Sequence, residues 1–160
     1  MNEAKGNNAT QGNILLAEAI RRKKALKESY DRKQNIDFRS GIKSIYDVLL
    51  SAYEILKHCP GADRKSAQCK SEVAWCLINM GQHKEAIDCC REALDAFQLL
   101  EHSIFDQASC KELIAQAYFR LGMGEEGTRW GTEATELLAR KDQIMEEIEW
   151  KAKFDPDTYA

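Results

Sequence analysis

A chain of 160 residues, 44% hydrophobic and 31% charged, has the composition of one ordinary globular domain. Its formal net charge of −3 gives no reason to expect a nucleic-acid or membrane partner. No apolar run approaches the ~20 residues that span a bilayer.

Only two prolines, Pro60 and Pro156, interrupt the sequence. Between them Ala, Leu, Glu, Lys, Arg and Gln dominate, residues that lose little freedom in a helix. The expected class is all-α.

Residues 1–13 are polar and Gly/Asn-rich, without the apolar core of a signal peptide, and are expected as a disordered leader. The helical domain is then expected over 14–153 and a flexible tail over 154–160. Next comes the one concentration of charge. Residues 21–33 hold seven basic and two acidic side chains, led by Arg21, Arg22, Lys23 and Lys24. This basic patch reads as a solvated helix face supported by Lys24–Glu28 and Lys27–Asp31 pairs, or as an import signal or phosphate-binding surface.

Three segments then repeat one pattern: 28–56, 69–97 and 110–138. The second and third both open with Cys-Lys, meet a Gly turn, and resume helical spacing. Gly41, Gly81 and Gly122 stand 40 and 41 residues apart and are expected to end the first helix of each copy. In the middle copy Val73, Ala74, Leu77 and Met80 form one apolar stripe. Ala86, Ile87, Cys90, Ala93, Leu94 and Phe97 form the next. Each copy is thus a helical hairpin that completes its core by stacking on its neighbour. Pro60-Gly61 separates the first two hairpins. Ser103 with Asp106 resembles a capping box opening the third. Gly127 and Gly131 stand inside a helix, each costing about 0.5–1 kcal/mol against Ala, so either that helix is weak or another backbone approaches it. Residues 141–153, with Ile144 and Ile148 on one face, read as a polar-backed capping helix.

Chemistry has few candidates. The six cysteines form no C-x-x-C pair and are expected as packing residues, with a lesser redox alternative at Cys89-Cys90. His58-Cys59 lie beside the Pro60 break and point about 100° apart on a helix, unlike a catalytic dyad. Glu146, Glu147 and Glu149 read as a solvated helix face. No catalytic residue, cofactor or metal site is expected, and the chain is read as no enzyme.

These copies resemble the tetratricopeptide-repeat (TPR) family. The resemblance rests on Ala74, Leu77, Gly81, Ala86 and Ala93 in the middle copy, and on Ala115, Tyr118, Gly122 and Ala134 in the third. It covers about residues 28–140. In the first copy Gln34 replaces the expected small residue. The period of about 40 is longer than the usual 34 and is similar to that of LGN-type polarity adaptors and kinesin light chains. The resemblance implies an α-solenoid of three hairpins with a C-terminal capping helix.

It also implies a concave groove lined by the first helix of each hairpin. Carried over, that groove holds Asp31, Asn35, Phe38 and Arg39, then Ser71, Trp75, Ile78 and Asn79, then Glu112, Gln116, Phe119 and Arg120. Trp75 and Phe119 also fit a purely structural role between helices. The groove reading expects a protein-interaction adaptor or scaffold, cytoplasmic or nuclear, binding an apolar, partly acidic peptide or helix as a monomer or complex subunit. A chaperone-tail clamp is the first alternative. Its positions read Asp31, Asn35, Glu72, Ser109 and Leu113, of which only Asn35 matches. An RNA-associated factor acting through the basic helix is more distant, because aromatics for base stacking are scarce there.

Overall fold

The computed structural model describes residues 2–33 and 37–154, which form seven helices and no strand. In order these are α1 (Asn2–Asp31), α2 (Phe38–Leu56), α3 (Asp63–Asn79), α4 (His83–Gln98), α5 (Ile104–Arg120), α6 (Gly124–Leu138) and α7 (Lys141–Phe154). Consecutive helices pack as three hairpins, α1/α2, α3/α4 and α5/α6. Each following hairpin lays its first helix on the one before, α3 on α2 and α5 on α4. α3 also touches α1 and α5, so the first helices share one side of the stack. This is the all-α solenoid architecture.

The middle hairpin follows its sequence pattern closely. Val73, Ala74 and Leu77 of α3 are buried, as are Ala86, Ile87, Cys90, Ala93, Leu94 and Phe97 of α4. Gly81 (φ +81°) and Gly122 (φ +76°) take the left-handed conformation that ends α3 and α5 without a Cβ penalty. Gly61 (φ +80°) does the same in the break after Pro60.

The first hairpin is built in a different register from the one expected. Gly41 ends no helix; it lies in the first turn of α2, its N–H bonded to Asp37 O at 3.1 Å. A Cβ on Gly41 would stand 2.7 Å from Leu26 Cδ1, so the glycine serves the close approach of α1 to α2. α1 ends before Lys33 (φ +52°), and Asp37 caps α2, its carboxylate accepting from Ser40 N at 3.1 Å. The first helix of the hairpin is therefore all of α1, and it begins at Asn2 rather than after residue 13. Gly12 is buried in it, seated on Leu56, with 2.6 Å from an ideal Cβ position to Leu56 Cγ.

α7 departs from the expected capping helix in its orientation. Its buried residues are Glu147 and Lys151, whereas Ile148 is exposed. The reason lies at the N-terminus of α5. Glu147 Oε2 accepts from Ile104 N at 2.6 Å and from Phe105 N at 3.3 Å, satisfying helix N–H groups that have no intrahelical partner. Lys151 Nζ closes the cluster, 2.9 Å from Glu147 and 3.3 Å from Asp106. Arg64 of α3 joins Asp106 at 3.3 Å and stacks over Trp150, and His102 lies parallel to the same ring. Ser103 stands at the N-cap of α5 but does not cap it by its side chain. Its hydroxyl turns back to the Phe97 and Leu100 carbonyls, at 2.6 and 2.8 Å. α7 is thus an ionic strap tied to the start of α5.

Candidate partner-binding face

The side shared by α1, α3 and α5 carries a half-buried aromatic ring and a paired cation. Trp75 of α3 is half-buried, packed against the core, with Lys23 Nζ of α1 lying 4.7 Å from its ring centroid. The same ammonium is 2.7 Å from Glu72 Oε2, one turn back on α3. A cation held between a carboxylate and a ring face combines an ion pair with a cation–π contact, both sheltered from solvent. Beside it Ile20, Lys23, Lys24, Lys27, Glu28, Asp31 and Glu72 line a depression of about 350 Å³. Ile20, Lys24, Lys27 and Asp31 follow helical spacing, so one face of α1 supplies most of that wall.

The residues expected in the groove scatter more widely. Asn35 falls outside the described residues. Phe38 and Arg39 belong to α2, the second helix of the hairpin, and Phe38 packs its ring 5.3 Å from Tyr30. Ile78 is buried and belongs to the core. The Asn79 amide donates to the carbonyl of Trp75 at 2.8 Å, tightening the end of α3. Gln116 and Arg120 are exposed on α5. Phe119 is exposed too, but its ring lies over Gly127 of α6, 2.9 Å from where a Cβ would stand. In the 41-residue repeat Gln116, not Phe119, matches Trp75, and Phe119 matches Ile78. Trp75 and Phe119 therefore occupy different positions of the hairpin.

The basic patch divides as well. Arg21 and Arg22 both pair with Glu18, whose carboxyl is held low by these guanidinium contacts. Arg22 also donates to Ser44 of α2 at 2.6 Å. Lys23 turns to α3, and Lys24 lines the depression. Four consecutive cations on a helix point in different directions, and here two of them leave the face that α1 shares with α3.

Ile20 was not among the residues expected on this face, Lys27 was expected only in the basic stretch, and Glu72 only as a position of the chaperone-tail clamp. The first helix of this hairpin ends at Asp31, well before Gly41, so its residues on this face lie earlier in the chain than the glycine spacing implies.

The cysteines lie inside the stack. Cys69, Cys76, Cys90 and Cys110 are buried, and all six are free. Burial pushes the thiols of Cys69, Cys76 and Cys110 up to about 12 and raises those of Cys89 and Cys90. A thiol so disfavoured as thiolate is a poor nucleophile. Among the described residues no three His, Cys, Asp or Glu side chains gather as a metal site requires.

Fold and face define a class: an all-α solenoid of three hairpins with a charged and aromatic first-helix side. No family model matches the chain, and no curated protein matches it. Among the described residues no helix is long and apolar enough to cross a membrane.

Proposed function

We propose that this protein is a non-catalytic interaction adaptor of the cytoplasm or nucleus, built on TPR-like hairpins. It takes a partner peptide or helix along the side shared by α1, α3 and α5. The observation that carries this reading is Trp75 beneath the Lys23–Glu72 pair, with Ile20, Lys24 and Lys27 beside it. An acidic partner group competes with Glu72 for Lys23, and an apolar one lies on Trp75 and Ile20. Arg120 and Gln116 extend the same side along α5. The chaperone-tail alternative sets a terminal carboxylate against Glu72 and Asp31 on this face, which is unfavourable. The RNA alternative needs a continuous basic patch, and Arg21 and Arg22 are committed to Glu18.

Affinity purification from the chain's own cells tests the proposal, with partners identified by mass spectrometry. Trp75→Ala is expected to weaken capture by about thirtyfold, the size of a lost interface aromatic of about 2 kcal/mol. The double variant Lys24→Glu/Lys27→Glu is expected to lose the same partners at unchanged melting temperature. If that double variant keeps every partner, the face is wrongly assigned. If Trp75→Ala instead unfolds with a penalty of about 3–5 kcal/mol, the ring is a core residue.

A further inference from the structure

We propose that Trp130 marks a second recognition site, for a phosphorylated side chain carried on a basic segment of a partner protein. The site is built from α4, α5 and α6 and shares no residue with the candidate face around Trp75. Arg91 of α4, Lys111 of α5 and Arg129 of α6 bring their charges to 5.6, 5.9 and 5.9 Å from the Trp130 ring centroid. Among the described residues neither arginine is ion-paired, and Lys111 has one carboxylate, Glu133, at 3.7 Å. Each cation is drawn to the ring, but three around one ring repel one another, and an anion among them relieves that repulsion. The neutral groups there are donors too. Trp130 Nε1 is buried without an acceptor. Tyr118 Oη accepts from Arg91 at 3.0 Å, which leaves its own proton to give. A buried donor without a partner is uncommon in a folded chain and calls for an acceptor.

So many donors beside one carboxylate fit a ligand that only accepts. A phosphate monoester carries a charge of about −1.5 to −2 and three acceptor oxygens, and it takes forked bonds from guanidinium groups. The repeat itself does not require the cluster. In the middle hairpin Lys70 and Glu92 keep the equivalent pair, but Asp88 and Cys89 stand where Arg129 and Trp130 do. The surroundings select what bears the phosphate. α4 has four acidic and two basic side chains, and α6 has four acidic and one basic, none of them buried. A nucleic acid or an anionic membrane brings many negative charges against that acidic rim, which is unfavourable. A single phosphate flanked by Lys or Arg meets the cations at its centre and the carboxylates around it. Arg91 and Arg129 are exposed, so the site is open, and a small free phosphate compound lacks the enclosure such ligands need. A peptide gains its contacts on either side.

The test immobilises the full chain and offers it a degenerate peptide library with a central phosphoserine, beside the same library carrying serine or glutamate there. The phosphorylated library is expected to be retained at least about tenfold over both others, with Lys and Arg enriched at the flanks. A selected phosphopeptide is then titrated calorimetrically. Arg91→Gln/Arg129→Gln is expected to weaken it at least about tenfold at unchanged melting temperature. Trp130→Phe keeps a ring but removes the donor, and is expected to weaken it about threefold or more. Equal retention of the serine or glutamate library, or enrichment of Asp and Glu at the flanks, overturns the proposal. So does wild-type affinity in either variant, or displacement of the peptide by polyuridylate or by phosphatidylserine vesicles at matched phosphate concentration.

Discussion

In the middle hairpin Ile78 is 2% exposed and Phe97 1%; 41 residues on, Phe119 is 53% exposed and Leu138 38%. Both hairpins have the same helix lengths to within a residue and the same left-handed glycine turn. What separates them is the next helix. α5 seals the middle hairpin, whereas nothing among the described residues seals the last one in the same manner. The repeat sets which residues face the stack, and the following element decides whether that face is dry.

Substitutions at matched positions break or sharpen this contrast. Phe97→Ala is expected to cost about 3–5 kcal/mol in denaturant unfolding, by loss of buried ring and the cavity left behind. Its counterpart Leu138→Ala is expected to cost less than about 1 kcal/mol. Equal penalties would remove the distinction between sealed and open hairpins.

The strap offers the next largest effect. Glu147→Ala leaves Lys151 buried beside Asp106 and strips the N-terminus of α5 of its acceptor. The expected loss is about 3 kcal/mol of α7 docking, visible as faster proteolysis within 141–154. An unchanged cleavage rate would mean that the ionic cluster does not hold α7.

Gly127 and Gly131, about 6 Å apart along α6, are expected to respond with opposite sign. Gly131→Ala meets ordinary contact and is expected to stabilise the chain by about 0.5–1 kcal/mol through helix propensity. Gly127→Ala drives a methyl into the Phe119 ring and is expected to destabilise it by about 1 kcal/mol. Melting temperatures that move together would contradict the seating of the ring on Gly127.

The smallest effect is in pH. Burial, the main cause, raises Asp106 above the ordinary carboxyl value, although Lys151 and Arg64 pull it down. The folded chain then binds this proton more tightly than the unfolded chain. Its contribution favours folding below the ordinary carboxyl value and is lost as pH rises through the folded one. Asp37 has the opposite sign. Hydrogen bonds from Ser40 hold it low, so its contribution is present above the ordinary value and is lost as pH falls through the folded one. Stability differences between wild type and Asp106→Asn, and between wild type and Asp37→Asn, should therefore slope in opposite directions.

Much of the architecture was legible because apolar spacing and left-handed glycines are local signals. The middle hairpin, the Pro60-Gly61 break and the turn at Gly122 all follow from them. Gly41 misled because a glycine needed for helix contact looks in sequence like one needed for a turn; the Asp37-x-x-Ser40 cap was the better sign. α7 misled because a carboxylate at a helix N-terminus is settled by tertiary placement, and nothing near Glu147 in sequence announces it. Of the candidate face, Trp75 was in view in the sequence. Its α1 wall was hidden by the same register error, since Lys23 and Glu72 meet across 49 residues.

Amide hydrogen exchange read helix by helix, at dilution, tests the contrast between the hairpins most directly. The account predicts the slowest exchange in α3 and α4, and clearly faster exchange in α6, where Gly127 and Gly131 weaken the helix and no further helix among the described residues covers it. Protection in α6 equal to or greater than that in α4 would contradict it.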